Sequence, residues 1–142
     1  MLITKKVVIA AIYNSNNELL LQERWDYSKH WEEWAFFGGW IEYWECAIDA
    51  FHRESKEELD IDMWTMDYKY IWEYISYNSK TNRFLFRHIF LLKTDLLHTD
   101  FTVLEWSGCK YYSVQDAKKL KFQSKPDRFL EYLMNKISEN NK

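Results

Sequence analysis

"GGWIEYWECAIDAFHRESKEELDI", residues Gly38 to Ile61, is the stretch on which the reading of the chain turns. It carries Glu42, Glu45, Asp49, Glu54, Glu57, Glu58 and Asp60 in a chain whose net charge is only −3. The apolar spacing predicts a helix from about Glu45 to Leu59. At 3.6 residues per turn, Ala47, Ala50, Glu54, Glu57 and Glu58 fall on one side. Phe51, Ile48, Ser55 and Leu59 form the adjacent stripe, which is expected to pack on a sheet. Like charges three and four residues apart repel by a few tenths of a kcal/mol per pair, on the order of 0.2–0.5. Only Arg53 and Lys56 dilute them. Helical geometry alone leaves two readings open: a solvated acidic face, or a site for a hard divalent cation that takes oxygen ligands and substrate phosphates.

The spacing is more specific than the helix. Gly39 is followed by five residues, Glu45, seven residues, and then "RESKEELDI" from Arg53 to Ile61. Gly39, Glu45, Arg53, Glu54, Glu57, Glu58 and Ile61 resemble the box of the Nudix (MutT-like) hydrolase family. At ordinary residue frequencies, six exact matches arise by chance at roughly one in ten million per start position. That rarity favours the cation site over the solvated face. Two box positions depart from the pattern. Ser55 replaces an aliphatic residue beside the core stripe, and Asp60 replaces the glycine that ends the helix. Asp is among the few side chains that tolerate a left-handed C-terminal position. Phe37 stands where many relatives have Pro, and Trp40 and Trp44 where many have Gly.

The resemblance implies an α/β (α+β) fold, a Nudix-type α/β/α sandwich with a mixed sheet, and one Nudix hydrolase domain over residues 1–142. It implies a metal-dependent pyrophosphohydrolase that cleaves a diphosphate linkage in a nucleoside di- or triphosphate derivative by water attack at phosphorus. A MutT-like nucleoside triphosphate pyrophosphatase is the first form of that reading. The alternative is an inactive nucleotide-binding or regulatory module. The implied cofactor is Mg²⁺ or Mn²⁺, held by Glu57, Glu58, Glu54 and the backbone carbonyl of Gly38. Glu54 is also a candidate general base, and Glu105, in "TVLEWSG", is its rival. Arg53 is expected to orient the carboxylates, while Gly39 and Glu45 support the loop and the helix start. Arg24 stands where relatives often bind phosphate or base, and Trp40 and Trp44 are candidate substrate contacts. Trp31 and Trp34 could also stack on a base, with Trp34 more simply read as core. Tyr77 stands roughly where diadenosine tetraphosphate hydrolases carry a Tyr.

Composition agrees with a globular domain. The chain has 142 residues, 47% hydrophobic and 29% charged, enough for a real core. The slight acidity argues against long nucleic acid as a partner and leaves a small nucleotide derivative, with oligomerisation open. No apolar run reaches the length of a membrane span, and the start alternates like a strand, so a cytoplasmic protein is expected. Cys46 and Cys109 suit buried free thiols.

Around the box, Lys5–Tyr13 and Glu18–Trp25 are expected as a hairpin joined by "NSNN". "DYSKHWEE", 26–33, is expected as a loop, and "WAFF", 34–37, as a short strand ending at Gly38–Gly39. Three more strands are expected over 68–77, 83–93 and 101–112. A helix starting at Ser113 and covering 114–120 comes next. The last helix carries Phe129, Leu130, Leu133, Met134 and Ile137 on one face.

Overall fold

The computed structural model describes residues 3–26, 31–105, 107–122 and 127–141. Its strands are β1 (Ile3–Tyr13), β2 (Leu19–Asp26), β3 (Trp31–Ala35), β4 (Phe37–Trp40), β5 (Lys69–Asn78), β6 (Arg83–Lys93) and β7 (Gly108–Tyr112). Helix α1 spans Ala47–Leu59, α2 Val114–Ala117 and α3 Asp127–Asn140. The strands form one mixed sheet: β1 runs parallel to β6, and the other pairings are antiparallel. This is the expected α+β architecture.

Two apolar layers cover the sheet, and strand alternation assigns residues to each. On one face, Val8, Ala10 and Ile12 of β1 pack with Ala50, Phe51 and Leu59 of α1. The Phe51 ring stacks on Phe90 at 4.2 Å. On the other face, Ala11 and Tyr13 pack with Val114 and Ala117 of α2 and Leu130, Leu133 and Ile137 of α3.

The sheet forks where the function will matter. Asn14 closes the β1–β2 turn by accepting from the Asn16 and Glu18 amides, each at 3.0 Å. Asn17 supplies the left-handed residue, φ 59°. Tyr13↔Leu19 is the registered pair between the two strands. β3 continues on β2, from Gln22↔Ala35 to Asp26↔Trp31, and the chain then changes partner at Phe36. β4 lies on β1 instead, from Val7↔Trp40 to Ala10↔Phe37. A cleft opens between the two branches.

Several expectations are corrected. Trp31–Glu33 belong to β3 rather than to a loop, and Gly38–Gly39 lie inside a strand rather than after one. The long strand expected over 101–112 reduces to β7, because residues 101–105 form an irregular segment after a 3₁₀ turn at His98–Asp100. Helix α2 ends at Ala117 instead of reaching 120, although Ser113 does cap it by accepting from the Asp116 amide. Ile48 is 37% exposed and Cys46 is exposed, because both sit on the outer side of the first turn. The helix end is as expected: Asp60 is left-handed (φ 54°, ψ 35°), and its amide donates to the carbonyls of Lys56 and Ser55.

Ser55 is buried against the sheet, and its hydroxyl has no hydrogen-bond partner among the described residues. A buried, unpaired hydroxyl destabilises. Ser55→Ala is therefore expected to raise stability by about 1 kcal/mol. Urea unfolding checks this; a loss of similar size would show that the hydroxyl is paired.

Candidate active site

Glu58 sits at the fork, 3% exposed. Its Oε1 accepts from the Gly38 amide at 2.7 Å, and its Oε2 from Gln22 Nε2 at 3.0 Å. One carboxylate thus ties the last turn of α1 to β4 and β2. Gln22 also donates to the Phe36 carbonyl at 2.9 Å, at the point where the strand changes partner. Burial pushes the Glu58 carboxyl up to about 7, and the nearby Glu54 and Glu105 carboxylates add to this against the two hydrogen bonds.

The glycine pair has two separate causes. Gly38 takes φ +140°, and a Cβ there would run into the Val8 carbonyl of β1. A Cβ on Gly39 would occupy the space of the Glu54 carboxylate. Glycine is needed here so that β4 can lie flat on β1 and so that a helix carboxylate can lie flat on β4.

Arg53 organises the remaining acids. Its Nε and Nη2 reach the two oxygens of Glu45 at 3.1 and 2.5 Å, a fork-to-carboxylate pair. Nη1 reaches Glu54 at 2.8 Å and Glu57 at 3.3 Å, and Nη2 also donates to the Trp40 carbonyl at 3.0 Å. The Arg53 hydrogen bond holds the Glu45 carboxyl below its usual range, while the Arg53 guanidinium is held more firmly protonated. Glu45 also accepts from the Glu42 amide at 2.9 Å, which closes the loop before the helix. Burial raises Glu54 despite Arg53, with Glu57 and Glu105 pushing the same way.

A cleft of about 600 Å³ collects Gly38, Gly39, Glu54, Glu58 and Glu105, together with Arg24 and Trp40. Glu105 arrives on the irregular segment before β7. The Leu104 amide donates to the Glu58 carbonyl at 2.8 Å, and the Ser107 amide to the Glu23 carbonyl at 3.1 Å, so the loop is pinned on both sides. Trp40 is 51% exposed, with Lys5 Nζ 4.3 Å from its ring centroid.

Glu57 and Trp44 are not among the residues lining this cleft. The Glu57 side chain is half exposed, and Trp44 packs edge-on against Tyr43 at 4.9 Å. Trp34 is core, packed edge-on against Tyr112 at 4.9 Å, though its edge still reaches the cleft. Tyr77 is exposed on β5 and donates to Asn82 at 2.7 Å. The Trp31 side chain lies outside the described residues. His52 points away from the carboxylates, stacked on Trp64 at 4.0 Å. Sequence reasoning passed over Gln22, Arg83, Arg87 and Phe122, which also line the cleft. No motif marks them, because strand pairing rather than local spacing brings them there.

The donor set is all oxygen and acidic, which fits a hard divalent cation. Among the described residues, no three acidic, His or Cys side chains are already closed on one cation-sized point.

The NUDIX domain family profile matches residues 3–133. Among solved structures, the Escherichia coli ORF135 protein superposes with a TM-score of 0.71 at 23% identity, covering 94% of this chain and 91% of that one. A MutT protein from Methanosarcina mazei Go1 gives 0.70 at 19% identity, with 99% and 98% covered. A Caenorhabditis elegans Ap4A hydrolase gives 0.69 at 18%, with 94% and 98% covered. At these identities the likeness shows the fold. A search of curated proteins returns no match.

The raised Glu58 carboxyl has a consequence for stability in the absence of metal. Between pH 4.5 and about 7 the folded protein holds a proton that the unfolded chain has lost. The contribution is therefore present below pH 4.5 and disappears as pH rises to about 7, by on the order of 3 kcal/mol. Urea unfolding in chelator at pH 5 and pH 8 is expected to show a steeper loss for wild type than for Glu58→Gln. Parallel losses would mean that Glu58 is ionised throughout.

Proposed function

The chain belongs to the Nudix family of hydrolases, which act on phosphorus-containing acid anhydrides, and on that premise we propose that it is a divalent-metal-dependent pyrophosphohydrolase of nucleoside di- or triphosphate derivatives. One observation carries the reading: Glu54 and Glu58 of α1 and Glu105 of a separate loop face one cleft, where burial and the neighbouring carboxylates raise the Glu54 and Glu58 carboxyls. Carboxylates gathered at such a cost suit a cation and a polyphosphate. The structural neighbours named as a MutT protein and an Ap4A hydrolase fit the same substrate class. We read residues 1–142 as a single cytoplasmic domain whose simplest substrate is a nucleoside triphosphate.

In this reading Glu54, Glu57, Glu58 and the Gly38 carbonyl hold Mg²⁺ or Mn²⁺. When bound, the metal neutralises the diphosphate and lowers the pKa of water. Arg53 keeps Glu54 and Glu57 aimed at a common side of the helix without touching substrate. Glu105 takes the proton from the attacking water as the new oxygen–phosphorus bond forms and the bridging bond of the diphosphate breaks. Its segment differs from that of the metal carboxylates, so it is free for this role, whereas Glu54 is drawn into the Arg53 network. Arg24 and Trp40 line the route that the nucleoside would take.

Turnover of a nucleotide panel is expected with Mg²⁺ or Mn²⁺ and is expected to stop with chelator. Tight nucleotide binding without turnover would instead select the inactive-module reading. Within an active enzyme, Glu105→Gln is expected to lower turnover ~10²–10⁴-fold while leaving metal affinity near wild type. Glu54→Gln is expected to weaken both. Single-turnover rates beside metal titrations check this; wild-type rates in Glu105→Gln would pass the role of base to Glu54. Replacing Trp40 by Gly is expected to reorder substrate preference, and the same change at Trp44 to reorder it less.

A further inference from the structure

The cleft is not acidic throughout. β6 directs Arg83, Leu85 and Arg87 to the same side of the sheet, and all three line the cleft with Val7 and Ile9 of β1. Arg87 Nη1 donates to Ser76 Oγ at 3.0 Å, and its guanidinium lies 4.9 Å from the Phe129 ring centroid. Burial lowers the Arg87 pKa, a sign that its charge is poorly solvated, although an arginine remains protonated. Arg83 carries a buried Nε–H that none of the described residues accepts. Among the described residues, neither guanidinium pairs with a carboxylate, in a chain where acids outnumber bases. Poorly solvated cations without a counter-charge are costly to keep, and the guanidinium fork matches phosphate and carboxylate.

The register gives a scale. Ile89 of β6 and Gly38 of β4 both pair with Ile9, so they share a row across the sheet. Arg87 is two residues along the strand from that row, about 7 Å, and Arg83 is six residues along, about 20 Å. A ligand reaching from the carboxylates past Arg87 to Arg83 has the length of a nucleoside diphosphate derivative with a further group at its far end.

We infer that Arg83 and Arg87 form a second, cationic end of the cleft, which takes an anionic group of the substrate separate from the diphosphate that is cleaved. A neutral base edge in that place would leave both guanidinium charges uncompensated. The group is a phosphate or a carboxylate. The inference rests on the hydrolase reading only for where the rest of the substrate lies, so it can be tested by binding as well as by turnover.

The test uses pairs of ligands that differ by one anionic group. AMP and adenosine 3′,5′-bisphosphate are compared by calorimetric binding in chelator. Dephospho-coenzyme A with coenzyme A, and UDP-glucose with UDP-glucuronate, are compared by kcat/KM with Mg²⁺. Wild type is expected to favour the more anionic member of at least one pair by about tenfold or more. The first two pairs report a phosphate and the third a carboxylate. Arg83→Gln, and Arg87→Lys, which keeps the charge but loses the fork, are each expected to bring that ratio toward unity; thermal melts confirm that both fold. No preference in any pair, or a preference that survives both variants, overturns the inference. Preferential binding that Arg83→Gln abolishes, without turnover of any pair, would uphold the anionic subsite and defeat the hydrolase reading instead.

Discussion

The buried carboxylate of Glu58, bonded to the Gly38 amide and to Gln22, is the interaction on which the site depends. It joins α1 to both branches of the forked sheet. The neighbouring Leu104 amide, on the Glu58 carbonyl, brings in the loop that carries Glu105. Removing the carboxylate would untie α1, β4 and β2 at one point. Keeping it in the absence of a cation requires a buried carboxyl that is easily protonated, which is the state that its raised pKa describes. Stability without ligand and readiness for a cation are thus in tension at one residue, as is common where a site is built for something it must bind.

Arg53 resolves the same tension for the other acids of the helix in a different way. Its fork is occupied by Glu45, a residue outside the cleft, so its remaining donors steer Glu54 and Glu57 without filling the space before them. The division of labour is physical: the Glu58 carboxylate is held by neutral donors, and Glu45, Glu54 and Glu57 are held by one shared guanidinium. With Arg83 and Arg87 further along the sheet, the cleft has opposite charges at its two ends, which suits a long anionic substrate bridged to the protein by a cation at one end only.

How much of this was legible in the sequence depends on the range of the interaction. The box residues were legible because a helix and its preceding loop fix their spacing locally. For the same reason Asp60 could be expected at a left-handed helix end, and Ser113 at a cap. Glu105 was a weaker expectation, yet it does line the cleft. Gln22, Arg83 and Arg87 were not legible, since their place comes from parallel pairing of β1 with β6 and from the transfer of the strand at Phe36 from β2 to β1. The steric need for the glycine pair was not legible either: backbone clearance against Val8 and side-chain clearance for Glu54 are both visible only in three dimensions. The misplacement of Ile48 and Cys46 has a simpler cause, because the first turn of α1 extends beyond the edge of the core that it faces.

On the proposed reading, the Glu54, Glu57 and Glu58 carboxylates together hold a divalent cation. The most direct measurement is titration of the protein with Mn²⁺ while free ion is followed by electron paramagnetic resonance, for wild type and for Glu58→Gln. Wild type is expected to deplete the free-ion signal saturably, with an affinity at least about tenfold weaker in the variant. Depletion that is equal in the two proteins, or absent from both, would contradict it.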